Sequence, residues 1–502
     1  MELQFAVRIE ALMNEEPLNQ GPQKSRTEPF WHWSQEQFGK GVMEESMLVA
    51  ELFKWTLYAV VTGLLVGGAT FGFLFLLELG QAQWPLAGWR IYLLPLVLLL
   101  SMALIRTFSP ESAGHGTEKV IESVHQRDGR MPLKVVPVKL LATLVTLIGG
   151  GSAGKEGPCA QIGAAIASGL ADLFHFINPR DRRVLVVCGI SAGFAAVFGT
   201  PVAGALFAIE VLFLGRMLHR ILYPAFVASM SAYYVCRHLG YKYESLHMRQ
   251  VPEQTLPLLS ELILFGLLCG LLAWLLVESL KFMDELFSRL PVGYLIRAGL
   301  GGVLLIGIAL ISPAYLGLSL PLLHGALAGQ SVPVAAFGIK LLATVITLAA
   351  GGSGGILTPI FVIGACFGAS YAHFFAPDLT GFFAALGMIG LLAGATNTPI
   401  ASAVLAMELF GAELAPFAAA VATVSFLIVG YRSVYPSQVL AIEKSSYLLV
   451  PTGGAIGSIA HPALSPEAGK IPALLYRLQQ RQRRVKTRMP DQGVEPEADK
   501  DS

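Results

Sequence analysis

A lysine and a glutamate, Lys155 and Glu156, stand side by side between two long apolar runs, inside the glycine-rich stretch from Gly149 to Gly163. Gly149, Gly150, Gly151, Gly154 and Gly157 all precede Pro158, so the backbone can bend there and present its N–H groups. Pro158 suits the first turn of a helix beginning near Glu156, where a missing N–H costs nothing. A helix start with free N–H groups and the positive end of its dipole attracts anions. Glu156 is itself an anion on a flexible side chain. It can hold such a site when ionised and leave it when protonated or displaced, which is how a gate behaves.

The same stretch nearly spells a phosphate-binding loop, with Gly149, four residues, then Gly154 and Lys155. That motif needs Ser or Thr next for magnesium, and Glu156 stands there instead. A nucleotide-dependent membrane enzyme is therefore only the distant alternative. The five cysteines, Cys159, Cys188, Cys236, Cys269 and Cys366, are scattered through apolar segments and suggest neither a disulfide framework nor a metal cluster. The expectation is a protein that is not an enzyme, with no cofactor, no metal and no nucleic-acid partner.

The elements that must position this pair are membrane elements. Of 502 residues 54% are hydrophobic and only 14% charged, against about 25% charged in an ordinary soluble domain. Between Ala298 and Gly430 the only charged residues are Lys340, Asp378, Glu408 and Glu413, so that region must cross or re-enter a bilayer several times. Residues 1–48 are a polar N-terminal segment without a secretory signal, in which Trp31 and Trp33 suit a membrane interface as well as a plain surface. Apolar runs follow at Trp55–Leu77 and Ile91–Ile105. A Gly-rich turn from Pro110 to Glu118 then opens a polar helix through Gln126. Further apolar runs are Val184–Phe198, Pro201–Gly215 and Leu262–Val277. The transmembrane part spans 49–447, and 448–502 is a tail whose basic run after Tyr476 favours the cytoplasmic side.

An internal repeat organises the chain. Lys139-Leu-Leu-Ala-Thr-Leu-Val-Thr-Leu matches Lys340-Leu-Leu-Ala-Thr-Val-Ile-Thr-Leu at an offset of 201. At that offset Gly151-Ser152 meets Gly352-Ser353, Gly154 meets Gly355, Pro158 meets Pro359, and Gly163-Ala164 meets Gly364-Ala365. Thr200-Pro201 to Glu210 likewise matches Thr398-Pro399 to Glu408, at an offset of 198. Two halves that each break an apolar run with Gly and Pro suggest a transporter or channel whose discontinuous helices aim their N-termini at a midplane anion. The second break, Gly355-Ile356-Leu357-Thr358-Pro359, has no charge. One break thus supplies a movable carboxylate and the other a neutral cradle of N–H donors.

These residues resemble the CLC family of chloride channels and proton-coupled chloride antiporters. Gly154-Lys155-Glu156-Gly157-Pro158 is similar to its Gly-Arg-Glu-Gly-Pro motif, and Gly355-Ile356-Leu357-Thr358-Pro359 to its Gly-x-Phe-x-Pro motif. Ser433-Val434-Tyr435-Pro436-Ser437 falls where the family places an anion-coordinating tyrosine. The resemblance covers about Ala50 to Ser446. It implies an all-α multi-pass membrane protein of two inverted-topology repeats, in a homodimer with a separate pore in each subunit. It also implies a cell-membrane location with both termini cytoplasmic. Glu156 takes the place of the gating glutamate. The N–H groups of Gly157, Ile356 and Leu357 and the Tyr435 hydroxyl take the place of the anion site.

Two departures matter. Where the family usually reads Gly-Ser-Gly-x-Pro, this chain has Gly114-His115-Gly116-Thr117-Glu118. His115 or Thr117 then stands in for the serine that holds chloride, or simply caps the helix. A fluoride-exporting branch also alters this motif, but Pro158 and Tyr435 weigh against it. In many antiporters the second of two adjacent glutamates relays protons, whereas here Ile209-Glu210-Val211 puts Val211 at that position. Glu210, repeated as Glu408, reads as a structural helix-end carboxylate. The sequence therefore points to transport of chloride or a similar small anion, leaning to a gated chloride channel; voltage gating enters only with the family it resembles. Exchange of chloride for protons is the close alternative.

Overall fold

The computed structural model describes residues 30–176, 178–243, 251–459, 463–465 and 469, and for residues 30–42 and 464 the backbone alone. The Trp31 and Trp33 side chains and the basic run after Tyr476 lie outside the described residues.

Sixteen α-helices form among the described residues, in two series of eight. The first comprises α1 (Phe30–Gln83), α2 (Leu94–Phe108), α3 (Thr117–Gln126), α4 (Val135–Ile148), α5 (Glu156–Leu173), α6 (Pro179–Phe198), α7 (Pro201–Glu210) and α8 (His219–His238). The second comprises α9 (Leu256–Arg289), α10 (Tyr294–Ile311), α11 (Leu320–Leu327), α12 (Ala336–Ala349), α13 (Leu357–Phe375), α14 (Thr380–Thr396), α15 (Pro399–Phe410) and α16 (Ala415–Ile428). Six helical segments are long and apolar enough to cross a membrane. Others fall short: a 14-residue helix such as α4 rises only about 21 Å, against the roughly 30 Å of a bilayer core. These short pieces are what the Gly and Pro breaks create.

Polarity sorts the helices. On α1 and α9, Leu64, Phe75, Leu271 and Trp274 are exposed, as a lipid-facing surface requires. By contrast α13 and α14 are apolar all round and almost wholly buried, the state expected of a helix without a polar face. Small residues let these inner helices touch. A Cβ on Gly163 would lie 2.2 Å from the Gly189 carbonyl oxygen, and one on Gly364 2.4 Å from that of Gly387. The α5–α6 and α13–α14 crossings thus repeat one close-packed contact in both halves.

The repeat recurs in the polar bonds. Gly150 and Gly351, equivalent residues, turn the chain out of α4 and α12 with positive φ, a conformation glycine adopts without strain. Beyond them Gly154 and Gly355 exchange two backbone hydrogen bonds of 2.7 Å. They are themselves equivalent, so the pseudo-twofold axis runs between them. Thr143 bonds Ser353 and Ser152 bonds Thr344, both at 3.0 Å, a symmetric pair around the same axis.

Glu210 accepts from the N–H groups of Ile400 (3.1 Å) and Ala401 (2.7 Å), at the start of α15. Glu408 accepts from those of Val202 (3.0 Å) and Ala203 (2.7 Å), at the start of α7. Each half caps the other, which is the structural part read for Glu210. Replacing Glu210 by Ala strands two N–H groups away from water, a loss of about 2 kcal/mol or more. The expected outcome is a lower melting temperature in detergent, with less than half of the loss recovered in Glu210→Gln, whose one amide oxygen accepts from only one of the two N–H groups. An unchanged melting temperature in Glu210→Ala would remove this cap from the account.

Candidate anion pathway

Three helix starts meet at the centre, and buried lysines shape the approaches. Lys139 on α4 is fully buried, and its Nζ donates to the carbonyls of Ser112 (3.0 Å) and Gly114 (2.8 Å). The loop leading into α3 is thereby pulled inward. Its counterpart Lys340 donates to the Gly317 carbonyl and the Ser319 hydroxyl, both at 2.8 Å, ahead of α11. Both lysines begin the repeated block read from the sequence, and that repetition was the signal that they had a shared structural task.

Glu156 is 1% exposed and opens α5, yet its carboxylate crosses to the other half. Its Oε2 accepts from the Thr358 N–H at 3.1 Å, and its Oε1 from the Thr358 hydroxyl. A carboxylate on a helix start gains from both the free donors and the dipole. The neutral break thus cradles the charged one. Thr358 adds a hydroxyl to the backbone donors, a contribution that its place in the motif did not reveal. Lys155 turns away instead: its Nζ donates to the Tyr241 hydroxyl at 3.3 Å. Lys155 and Glu156 thus take separate partners, Tyr241 and Thr358.

Backbone contact draws α3 into the same centre. A Cβ on Gly157 would lie 2.1 Å from the His115 carbonyl oxygen, and one on Gly116 2.3 Å from that of Gly157. Gly355 is equally close, its notional Cβ 2.6 Å from the Gly157 nitrogen. Ile356 and Leu357, buried at the start of α13, direct first-turn N–H groups that a helix cannot satisfy internally. The N–H groups of Gly157, Ile356 and Leu357 have no protein acceptor among the described residues.

Tyr435 is 1% exposed, and its loop is anchored to the end of α14 by a 2.9 Å bond from the Val434 N–H to the Ala395 carbonyl. Its hydroxyl lies beside that of Thr117, with Glu118 and Glu156 as charged neighbours. The Thr117 hydroxyl is buried without a partner in good hydrogen-bond geometry, as is Nδ1 of His115. The His115 ring lies at the Val434 backbone, within reach of the Lys139 charge. The structure therefore brings together Glu156, Gly157, His115, Thr117, Ile356, Leu357 and Tyr435.

Val211 does not belong to this cluster. It caps the end of α7, fully buried in the apolar core. The next carbonyl, that of Leu212, is bonded at 3.0 Å by Nε2 of His125, near the far end of α3. That places it about 12 Å of helix rise from Thr117.

Paired half-helices around a pseudo-axis, with free N–H groups and a buried carboxylate at their meeting point, define a membrane ion-transport protein. A family model described as voltage gated chloride channel matches residues 96–430. The chain belongs to the CLC family, whose members move ions and are not enzymes. A chloride/fluoride channel protein of Pseudomonas syringae pv. tomato is 35% identical over 384 residues, covering 73% of this chain and 82% of that protein. The H(+)/Cl(-) exchange transporter ClcA of Yersinia pestis is 28% identical over 352 residues, covering 65% and 70%. A solved CLC-type fluoride/proton antiporter is similar with a TM-score of 0.73 and 30% identity, covering 78% of this chain and 98% of that one. A slow cyanobacterial Cl-/H+ antiporter has a TM-score of 0.66 at 22% identity, covering 75% and 94%, and shows the fold alone. These likenesses keep fluoride in view, against the weight first placed on Pro158 and Tyr435. They leave the lean to a channel without support over exchange.

Proposed function

We propose that this chain exchanges a small halide, fluoride or chloride, for protons through one pathway, with Glu156 as the gate. The observation that carries the reading is the Glu156 carboxylate seated on the Thr358 donors at the start of α13. A halide and an ionised carboxylate compete for such a site, and protonation releases the carboxylate. A cycle in which halide entry and Glu156 protonation alternate moves the two ions in opposite directions. The N–H groups of Gly157, Ile356 and Leu357, with the hydroxyls of Tyr435 and Thr117 and the His115 ring, form the halide path. The exchange reading also draws on the antiporters among its relatives.

The membrane part is 49–447, in a homodimer in the cell membrane with both termini cytoplasmic. One observation favours a second reading, uncoupled halide flow through a channel. Val211 offers no proton acceptor where a relay is expected, and intramembrane ionisable groups are what usually mark proton paths. Purified protein in vesicles under an imposed halide gradient, with the electrical potential clamped, separates the two. Uphill proton movement in fixed proportion to halide establishes exchange, and halide flux without it establishes the channel. Running both fluoride and chloride identifies the preferred ion. If coupling is present, water must carry protons past Val211, and Val211→Glu should raise proton flux relative to halide.

A further inference from the structure

Glu118 stands where the family pattern has proline, and nothing in the halide path described above uses it. It sits in the first turn of α3, and its carboxylate reaches a chain segment 319 residues away. Oε1 accepts from the Ser437 N–H at 3.0 Å and from the Ser437 hydroxyl at 2.5 Å, and Oε2 receives the same N–H at 3.3 Å. Ser437 is two residues beyond Tyr435.

The surroundings give this contact a specific consequence. The Tyr435 loop hangs between two supports. On the α14 side, besides the Val434–Ala395 bond, Asn397 Nδ2 donates to the Arg432 carbonyl (2.9 Å) and to Gln438 Oε1 (3.0 Å). Gln438 Nε2 in turn donates to the Thr396 carbonyl at 3.2 Å. On the α3 side, Glu118 holds the loop through its hydrogen bonds to Ser437. Proline could make no such contact, and it carries no charge to strengthen one. The partly buried carboxylate faces Lys119 and Glu122 on its own helix, and Tyr435 and Ser437 from the loop.

Taking Tyr435 as a halide ligand, as proposed above, we infer that Glu118 is a positioning residue: by holding Ser437 it fixes the distance between the Tyr435 hydroxyl and the start of α3. The same latch sets the spacing at the start of α3, because the Tyr435 hydroxyl lies beside that of Thr117. When the latch lets go, the loop keeps its α14 anchors but the tyrosine loses its register on α3.

The test compares Glu118→Ala, Glu118→Gln, Ser437→Ala, Tyr435→Phe and the double variant Glu118→Ala/Tyr435→Phe, each reconstituted as full-length chain. Halide flux is measured against fluoride and chloride concentration. Glu118→Ala should raise the half-saturating halide concentration about tenfold with little change in maximal rate, the scale of one charged hydrogen bond. Ser437→Ala, which spares the backbone donor, should move it by less. Glu118→Gln, which keeps an acceptor, should return it close to wild type. In the Tyr435→Phe background Glu118→Ala should add almost nothing, since both act on one hydroxyl. Full additivity in the double variant, or wild-type half-saturation in both Glu118→Ala and Ser437→Ala, overturns the inference. If Tyr435→Phe alone leaves half-saturation unchanged, the reading of Tyr435 as a ligand fails instead, and the two failures are distinguished.

Discussion

Glu156→Gln is expected to carry halide without protons and to lose the dependence of flux on pH. Glutamine has nearly the shape of glutamate; its one oxygen can accept from the Thr358 N–H while its amide nitrogen donates to the Thr358 hydroxyl. It has no proton to exchange and no charge to set against the helix dipole. Charge-assisted hydrogen bonds are about twice as strong as neutral ones, and a dipole contributes up to about 2 kcal/mol. The neutral side chain should therefore leave the cradle more than about tenfold more readily. Halide should bind more tightly as its competitor weakens, so calorimetry and flux move together. Both the exchange and the channel readings require the flat pH profile; only exchange requires the lost proton movement. A folded Glu156→Gln protein with the wild-type pH profile would show that the gate lies elsewhere.

Gly157→Ala should abolish transport. A methyl there meets the His115 carbonyl oxygen at 2.1 Å and the Gly355 Cα at 2.9 Å, and neither is a side chain that can rotate away. Forcing the two backbones apart costs about 1–3 kcal/mol or more, and it opens the point where the starts of α3 and α5 meet. The control is Gly338→Ala in α12, where a Cβ meets nothing within 4 Å and alanine favours a helix by about 1 kcal/mol. Flux should survive in the control and vanish in Gly157→Ala, with both proteins extracted as folded material. Wild-type flux in Gly157→Ala would mean that the close approach around Gly157 is not needed for conduction.

The large plan of the molecule was readable because symmetry left identical residues at fixed offsets. Lys139 and Lys340, Gly154 and Gly355, and Glu210 and Glu408 each perform one task twice, so their repetition announced a shared fold. The cradle for Glu156 was also foreseeable in kind, since a charged break and a neutral one call for each other. The hydroxyl of Thr358 was not, because a threonine inside an apolar helix start looks the same whether it points to a partner or back along its own helix. Lys155 and Glu156 read as a pair because they are neighbours in sequence, yet their side chains part toward Tyr241 and Thr358. Glu118 was the hardest to read. Its partner lies 319 residues on, and no periodicity links a polar helix to a distant loop. Proton coupling is obscure for another reason: Val211 records the absence of a side-chain relay and is silent about water.

The paired bonds between Gly154 and Gly355 also bear on how the protein is made. Donor and acceptor there are 201 residues apart, and the start of α7 is capped across nearly the same distance by Glu408 of α15. A chain emerging from the ribosome inserts its first eight helices long before these partners exist. Until then the N–H groups of Val202 and Ala203 and the Glu156 carboxylate have no mate in the second half, and each such group left bare in lipid costs several kcal/mol. The half-made protein must therefore wait, its short helices shielded by water or by the insertion machinery. The conduction centre closes among the last events of assembly, once long-range contacts can form.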